Sequence, residues 1–259
     1  MRYSENDVSS AALDLPVYGG IPKKYFICTS PRSGSYLLCR HLIYAGLGIP
    51  HEYFNPINAR AIGARFGVKD ALGQGLEQYI RNLLARRTAG GVFGAKLQYW
   101  QYHDFLMSPP AAPDFLSHSD FIYLIREDLL AQAISYHFAR LTGEWGFDGT
   151  VTTEKWDGKF DDLDAIDRQV ETLIREEQGW RSFFAQNGIS PLVITYELLC
   201  RRPADILLAI GTHCRVPTEQ LRLGYREPRG EVAASSVSAS KRDIYKAYVK
   251  ARGSLVTQR

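Results

Sequence analysis

The clearest pattern along the chain is an apolar run that stops at small and polar residues, after which apolar positions return at helical spacing. Residues 25–43 read YFICTSPRSGSYLLCRHLI. This order predicts a β-strand, a tight loop over 29–35 and then a helix. The backbone N–H groups of such a loop and the positive end of the helix dipole together attract an anion. We therefore expect a phosphate or sulfate group to bind here.

The same order of elements recurs in the middle of the chain. The run DFIYLI at 120–125 predicts a strand, Arg126 follows it directly, and apolar positions through Phe138 predict a helix. Two strand ends that carry Arg32 and Arg126 suit a ligand with two separated anionic groups. The alternative for Arg126 is a surface ion pair with a neighbouring carboxylate, which is common and weak. Ser135, further along this helix, faces either the core or the ligand.

The remaining apolar periodicity completes an α/β pattern. Helices are predicted over 57–67, 71–88, 161–186 and 203–214, and strands within 90–100 and at Leu192–Thr195. The tail from Leu223 onward is polar, basic and rich in serine, which is typical of a flexible, solvated segment. The alternative for this tail is that it folds over a polyanionic ligand.

Length and composition narrow the class of protein. With 259 residues, of which 45% are hydrophobic, the chain suits one large α/β domain better than two small ones. A formal net charge of +3 gives no reason to expect nucleic acid or an anionic membrane as a partner. The amino-terminal segment lacks the pattern of a secretory signal, and no apolar run reaches the length of a membrane span. We therefore expect a cytoplasmic protein.

The cysteines give no sign of a disulfide framework or a metal site. Cys28, Cys39, Cys200 and Cys214 are scattered, and each lies among apolar neighbours. No two of them form a C-x-x-C pair with the spacing of metal ligands. We interpret all four as reduced residues of the core, and we expect no bound metal.

The first loop has the side chains that an anion site needs. Arg32 adds a forked, charged donor, Ser30, Ser33 and Ser35 add hydroxyls, and Gly34 allows the backbone to approach a ligand closely. The alternative is an ordinary connecting turn with a serine as helix cap. The loop lacks the G-x-x-x-x-G-K-[ST] pattern, so the usual machinery for Mg-ATP is not indicated.

Three residues after this loop are candidates for chemistry. Glu52 is a lone carboxylate beside His51 and two aromatic residues, and it is either a catalytic group or a solvated side chain. We interpret His51 as a hydrogen-bonding surface residue. Lys96, near the end of a predicted strand, is either exposed or brought to the carboxyl edge of the sheet, where ligands bind in open α/β folds.

Five motifs in order resemble one family. They are S-x-R-S-G-S-x-L-L at 30–38, E-[FY]-F at 52–54, G-x-K-L at 94–97, R-x-D-x(3)-Q-A-x-S at 126–135 and E-E-x-G-W-R at 176–181. Singly each motif is weak, but together they cover most of the chain. On these residues the sequence resembles the trehalose 2-sulfotransferase family of bacterial carbohydrate sulfotransferases.

The resemblance implies a fold and a donor. The fold is a three-layer α/β arrangement, with a parallel sheet of four or five strands flanked by helices, of the P-loop-like sulfotransferase type. It would form a single domain over 23–259, after an amino-terminal extension at 1–22, with a poorly assigned basic segment at 222–259. The donor is 3′-phosphoadenosine 5′-phosphosulfate (PAPS), the acceptor contains a sugar, and a homodimer is left open.

The resemblance also implies roles for particular residues. Arg126 and Ser135 would hold the 3′-phosphate, and Glu52 would be the general base. Arg32 and Lys96 would stabilise charge on the leaving phosphate without a metal. The residues that would cradle the 5′-phosphosulfate are Ser30, Pro31, Arg32, Ser33, Gly34, Ser35 and Tyr36. Arg32 stands where the animal sulfotransferases have a lysine, a departure that this family shares.

Two rival functions remain open at this stage. A small-molecule kinase is disfavoured because the lysine and the magnesium pattern of the nucleotide-binding loop are missing. A non-catalytic module that binds a nucleotide or a sulfated glycan would keep the fold and lose the chemistry. Such a module has no need for Glu52, so this residue separates the two classes.

Overall fold

Four parallel strands form a sheet at the centre of the protein. The computed structural model describes residues 10–109, 111–143, 145, 162–225 and 233–253. The strands are β1 (Lys23–Thr29), β2 (Val92–Gln98), β3 (Ser119–Ile125) and β4 (Leu192–Thr195), in the order β2-β1-β3-β4. Thr29 pairs with Gln98 on one side and with Leu124 on the other. The carboxyl ends of β1, β2 and β3 therefore lie at one edge of the sheet.

Helices cover both faces of this sheet. Side chains along a strand alternate between faces, so Tyr25 and Ile27 join one apolar cluster whereas Phe26 and Cys28 join another. The helices are α1 (Ser35–Ala45), α2 (Pro56–Arg65), α3 (Leu76–Arg86), α4 (Tyr99–Phe105), α5 (Ala111–Leu116), α6 (Leu129–Thr142), α7 (Leu163–Gln186), α8 (Tyr196–Arg201), α9 (Pro203–His213) and α10 (Ala233–Arg252). Helices α1 and α9 pack on the first cluster, and α3, α5 and α7 on the second. This arrangement confirms the predicted three-layer parallel fold.

Some predicted boundaries are wrong for local reasons. The helix predicted over 71–88 begins only at Leu76, because Asp70 holds the preceding residues in a turn. Its carboxylate accepts from the N–H of Gln74 at 2.8 Å, and its carbonyl accepts from the N–H of Gly75. The short helices α4, α5 and α8 were not predicted, because one or two turns of helix leave little periodicity in a sequence.

The prediction that all four cysteines lie in the core is wrong for one of them. Cys28, Cys39 and Cys214 are buried, whereas Cys200 is exposed. All four are free thiols. Cys200 lies in the short helix α8, whose buried position is taken by its neighbour Leu199.

The prediction of a solvated basic tail is also wrong for its larger part. Residues 233–252 form helix α10, whose Ile244 and Tyr248 are buried in a third apolar cluster with residues of α6 and α7. The Tyr248 hydroxyl hydrogen-bonds to Asp167, and Arg252 forms an ion pair with Asp164. Apolar positions four apart thus attach a basic helix to the fold.

The described part of the amino-terminal segment packs against α3. The N–H groups of Leu15 and Tyr18 donate to carbonyls at the end of α3, each at 2.8 Å. Asp14 forms ion pairs with Arg65 at 2.6 Å and with the buried Arg87 at 2.9 Å. The division of the chain at residue 22 stays a prediction. None of the described helices is long and apolar enough to cross a bilayer.

Candidate active site

The loop between β1 and α1 is braced from three directions. Gln132 of α6 donates to the hydroxyl of Ser30 at 2.9 Å and to the carbonyl of Pro31 at 2.7 Å. The buried hydroxyls of Thr29 and Ser33 hydrogen-bond to each other at 2.5 Å. The Trp180 indole N–H donates to the Thr29 carbonyl at 2.9 Å. These contacts hold the loop in one conformation, and they occupy the hydroxyls of Ser30 and Ser33.

Two residues of this loop have left-handed backbone conformations. Arg32 has φ of 63° and Gly34 has φ of 86°. A Cβ at Gly34 would lie 2.3 Å from the ring of Tyr196, so glycine is required by both conformation and space. Arg32 accepts a conformation that is uncommon for a residue with a side chain, as is frequent at functional sites. As a glycine, the residue before α1 has no side chain to cap the first helical N–H groups, which suits an anion.

Arg32, Arg126 and Ser135 lie together beside the loop. Arg32 Nε donates to Ser135 Oγ at 3.1 Å, and its Nη1 donates to the Trp145 carbonyl at 2.5 Å. The guanidinium of Arg126 lies over the ring of Tyr196 at 4.8 Å, and its Nη1 is 3.4 Å from the Arg32 carbonyl. The two predicted anion sites are therefore neighbours at one edge of the sheet, and their cations belong to one cluster.

Glu52 is buried, and four donors surround its carboxylate. Its Oε1 accepts from Gln98 Nε2 at 2.9 Å and from Gln101 Nε2 at 2.7 Å. Its Oε2 accepts from Lys96 Nζ at 3.0 Å and from the Tyr36 hydroxyl at 3.2 Å. The side chain is 5% exposed, so the alternative of a solvated glutamate is wrong.

The chain around Glu52 is fixed by sheet pairing and by the core. The carbonyl of His51 accepts from the N–H of Lys96 at 2.8 Å, which extends the ladder of β2 by one bridge. Tyr53 and Phe54 are fully buried in the core on that side of the sheet. The Glu52 carbonyl accepts from Asn58 at 3.0 Å. These contacts fix the backbone on both sides of Glu52 and orient its side chain towards the carboxyl edge of the sheet.

Lys96 and His51 differ in charge although both are buried. Burial lowers the pKa of Lys96, but Glu52 and Tyr36 offset this, and the net effect is a pKa above the ordinary value. The ammonium also lies 3.5 Å from the centre of the Tyr36 ring. Burial, together with Arg87 and Lys96, holds the pKa of His51 well below its usual range. His51 is thus a neutral, buried residue, and its interpretation as a surface residue is wrong.

The motif at 176–181 supports the site by holding the start of α4. Glu176 accepts from the N–H groups of Tyr99 at 2.8 Å and Trp100 at 3.3 Å, so it caps the start of α4. A Cβ at Gly179 would lie 2.3 Å from the Tyr99 ring, so the helices approach closely there. Burial raises the pKa of Glu176, the two N–H groups lower it, and the net value is about 7.

A cavity of about 1190 Å³ joins these groups. Glu52 and Lys96 line this cavity, and so do Arg126 and Ser135. Residues of the loop after β1 form part of the same wall. Of the residues predicted for the site, those in the cavity wall are Pro31, Arg32, Gly34, Ser35, Tyr36, Glu52, Lys96, Arg126 and Ser135. Ser30 and Ser33 are buried and do not line the cavity.

Sequence reasoning missed several residues of this wall. Gln98 is the last residue of β2, Trp100 lies two residues beyond it, and Tyr196 directly follows β4, so their positions at strand ends were the available signal. Gln132 lies inside a recognised motif but was given no role. Three cations of α10 also line the cavity, and these are Lys241, Arg242 and Lys246. Among the described residues, no cluster of three or more His, Cys, Asp or Glu side chains is arranged to hold a metal ion.

The parallel sheet, the loop that follows β1 and the helices on both faces define a three-layer α/β protein. The chain belongs to the Stf0 sulphotransferase family, whose model matches residues 24–247. Trehalose 2-sulfotransferase of Mycobacterium tuberculosis is 26% identical over 230 residues, which cover 73% of this chain and 84% of the relative. The enzyme of the same name from Mycolicibacterium smegmatis is 25% identical over 219 residues, covering 72% and 82%.

A solved sulfotransferase from Alicyclobacillus acidocaldarius is similar in structure, with a TM-score of 0.48 and 14% sequence identity. The match covers 89% of this chain and 96% of the other. The family assignment and the parallel sheet confirm the predicted sulfotransferase fold, and the protein is a sulfotransferase by family.

Proposed function

We propose that the protein transfers the sulfuryl group of PAPS to a hydroxyl of a carbohydrate, with Glu52 as general base. The observation that carries the proposal is the contact between Tyr36 and Glu52. Tyr36 belongs to the first turn of α1, where the anion-binding loop ends, and its hydroxyl lies 3.2 Å from the Glu52 carboxylate. A donor group over the loop and an acceptor hydroxyl at Glu52 would therefore be adjacent.

The chemistry of the cavity wall suits a donor with several anionic groups. Its cationic side chains outnumber the acidic ones, which are Glu52 and Asp128. The first-turn N–H groups of α1 and the side chain of Arg32 would hold the 5′-phosphosulfate. Arg126 and Ser135 would hold the 3′-phosphate. Arg126 can be expected to bind a phosphate tightly because Tyr196 already orders its guanidinium.

In the proposed reaction the acceptor oxygen forms a bond to sulfur while the bond from sulfur to the phosphate oxygen breaks. The hydroxyl proton passes to Glu52, and adenosine 3′,5′-bisphosphate (PAP) leaves with the bonding electrons. Lys96 forms an ion pair with Glu52 at 3.0 Å and so places positive charge beside the proposed base. Four donors occupy the carboxylate, so the acceptor hydroxyl must displace one. The long contact to Tyr36 is the weakest of the four.

The carbohydrate acceptor is supported by the two trehalose 2-sulfotransferases that resemble this chain. Trehalose is therefore the first acceptor to test. The test is formation of PAP from PAPS in the presence of trehalose or glucose, with calorimetric titration of PAP and of Mg-ATP beside it. Transfer to a sugar supports the proposal. Tight binding of Mg-ATP with phosphate transfer would identify a kinase, and binding of PAP without turnover would identify a non-catalytic module.

A further inference from the structure

The indole of Trp100 is held in the cavity wall close to Glu52. Its Nε1 donates to Gln98 Oε1 at 3.0 Å, and its backbone N–H donates to Glu176. Phe105 packs edge-to-face against the indole, with ring centroids 6.2 Å apart. The side chain is nevertheless partly exposed and lines the cavity. The orientation of the ring is therefore fixed while part of its surface still faces the cavity.

Gln98 links this indole to the carboxylate of Glu52. An indole N–H can only donate and a carboxylate can only accept, so the orientation of the amide is determined by its partners. Gln98 Oε1 accepts from Trp100 and its Nε2 donates to Glu52 at 2.9 Å. A single side chain thus sets the distance between an aromatic surface and the proposed base.

An aromatic surface beside a base suits a sugar ring better than an open-chain alcohol. A pyranose presents C–H groups on a face of the ring and hydroxyls around its edge. The C–H groups pack favourably against the electron-rich face of an indole, whereas the hydroxyls require polar partners. A pyranose stacked on Trp100 would direct an edge hydroxyl towards the carboxylate of Glu52.

We propose that Trp100 is the platform on which the acceptor's sugar ring stacks, and that it determines the preference for a cyclic sugar. Gln98 is a positioning residue that holds this platform at a fixed distance from Glu52. The inference rests on the proposed function, and it adds the acceptor-binding surface to it. An indole with a purely structural role would instead affect stability and leave the choice of acceptor unchanged.

The test compares trehalose with mannitol, an open-chain polyol that has hydroxyls but no ring face. Steady-state kinetics are measured for the wild type, Trp100→Ala and Trp100→Phe. We expect Trp100→Ala to raise the KM for trehalose by about tenfold or more, with a smaller change in kcat, and to reduce the preference for trehalose over mannitol. Trp100→Phe keeps an aromatic face and should retain most of the preference. The affinity for PAP, measured by calorimetry, should be unchanged in both variants.

Two further variants separate the platform from its support. Gln98→Leu removes both hydrogen bonds of the amide, so we expect a higher KM for trehalose together with a lower kcat. His103→Ala is the matched control, because His103 lies on the same helix, is exposed and is not part of the cavity wall. It should behave as the wild type.

The possible failures are distinguishable. A wild type that forms PAP with trehalose, but whose Trp100→Ala variant keeps the wild-type KM and acceptor preference, overturns this inference alone. An equal preference of the wild type for mannitol and trehalose also overturns it. A wild type that binds PAP but transfers sulfuryl to no sugar overturns the carbohydrate acceptor of the proposed function, and the inference with it.

Discussion

At the scale of single residues, the buried pair of Glu52 and Lys96 sets the chemistry of the site. A carboxylate removed from water is costly unless charges and hydrogen bonds replace its hydration. Here an ammonium, a phenol and two amides supply that replacement. The same contacts hold the carboxylate in one orientation, which a base must have if it is to accept a proton during transfer.

Replacing Glu52 by glutamine should lower kcat for sulfuryl transfer by about 10²- to 10⁴-fold, the usual contribution of a positioned base. Glutamine is nearly isosteric and still accepts hydrogen bonds through its carbonyl, so the fold and the PAP affinity should be kept. Kinetics with trehalose, PAP calorimetry and a melting curve measure this. An unchanged kcat would rule out base catalysis. A higher KM at constant kcat would mean that Glu52 only orients the acceptor.

Replacing Lys96 by methionine should destabilise the protein by about 3 to 5 kcal/mol, because it leaves the Glu52 carboxylate buried without its counter-charge. Denaturant unfolding measures the effect. The double variant Glu52→Gln/Lys96→Met should be more stable than Lys96→Met, since no buried charge remains. The matched control is Arg81→Met, which breaks the exposed pair with Glu77 and should change stability little. Equal stability of the single and double variants would contradict this account.

Replacing Arg126 by alanine should weaken PAP binding by about 2 to 4 kcal/mol, through loss of a charge-assisted contact in a partly buried site. Adenosine 5′-phosphate, which lacks the 3′ group, should lose much less. Calorimetry with both nucleotides makes the comparison. Equal losses would show that Arg126 supports the loop through the Arg32 carbonyl and does not bind the 3′-phosphate.

At the scale of elements, the site is assembled where four strands end and helices begin. Helix α7 supports this assembly from outside the cavity wall. Its Trp180 donates a hydrogen bond to the last residue of β1, and its Glu176 caps the start of α4. Helix α4 in turn carries Gln101, and the residue before it is Gln98, so both amides that contact Glu52 depend on this cap. The motif at 176–181 is therefore a structural support for the proposed base.

This support predicts a pH dependence of stability. The pKa of Glu176 rises from 4.5 to about 7 on folding, so its protonated form is favoured in the folded state. The corresponding stability is fully present below pH 4.5 and is lost as the pH rises to about 7. Over that range, wild type should lose up to about 3 kcal/mol relative to Glu176→Gln, which has no proton to lose.

Denaturant unfolding at several pH values measures this difference. Glu171→Gln, at an exposed position of the same helix, is the control and should follow the wild type at each pH. A constant difference between wild type and Glu176→Gln across the range would contradict the raised pKa.

At the scale of the whole molecule, one cavity unites elements that are far apart in sequence. The loop after β1, the end of β2, the start of α6 and the basic helix α10 all contribute to its wall. Helix α10 reaches this position because Ile244 and Tyr248 pack in the cluster that also contains residues of α6 and α7. Lys241, Arg242 and Lys246 thereby add charge to a cavity that is already basic.

The proposed reaction should persist in EDTA. A kinase needs a magnesium ion between adjacent phosphates, whereas the proposed sulfuryl donor relies on loop N–H groups, Arg32 and Lys96 for charge stabilisation. The measurement is PAP formation before and after removal of divalent cations. Loss of activity in EDTA with recovery on addition of magnesium would favour phosphoryl transfer.

Short apolar runs were sufficient to predict the strands β1, β2, β3 and β4, since each run is bounded by polar residues, glycine or proline. The loop at 29–35 and the cations at two strand ends followed from the same pattern, because parallel strands bring their carboxyl ends to one edge. Local sequence therefore predicted an α/β fold and the anion loop, whereas the resemblance of five motifs to one family supplied the parallel sheet and the roles of the site residues.

Only the tertiary structure decided which groups meet. That Glu52 is buried against Lys96 depends on a bridge between His51 and Ala95, a pairing between distant segments that leaves no local pattern. The roles of Gln98 and Gln132 depend on partners 46 and 102 residues away. The place of α10 depends on apolar surface offered by α6 and α7. These contacts are set by packing between segments that are far apart in sequence. The pattern of apolar residues within a short window carries no information about such contacts.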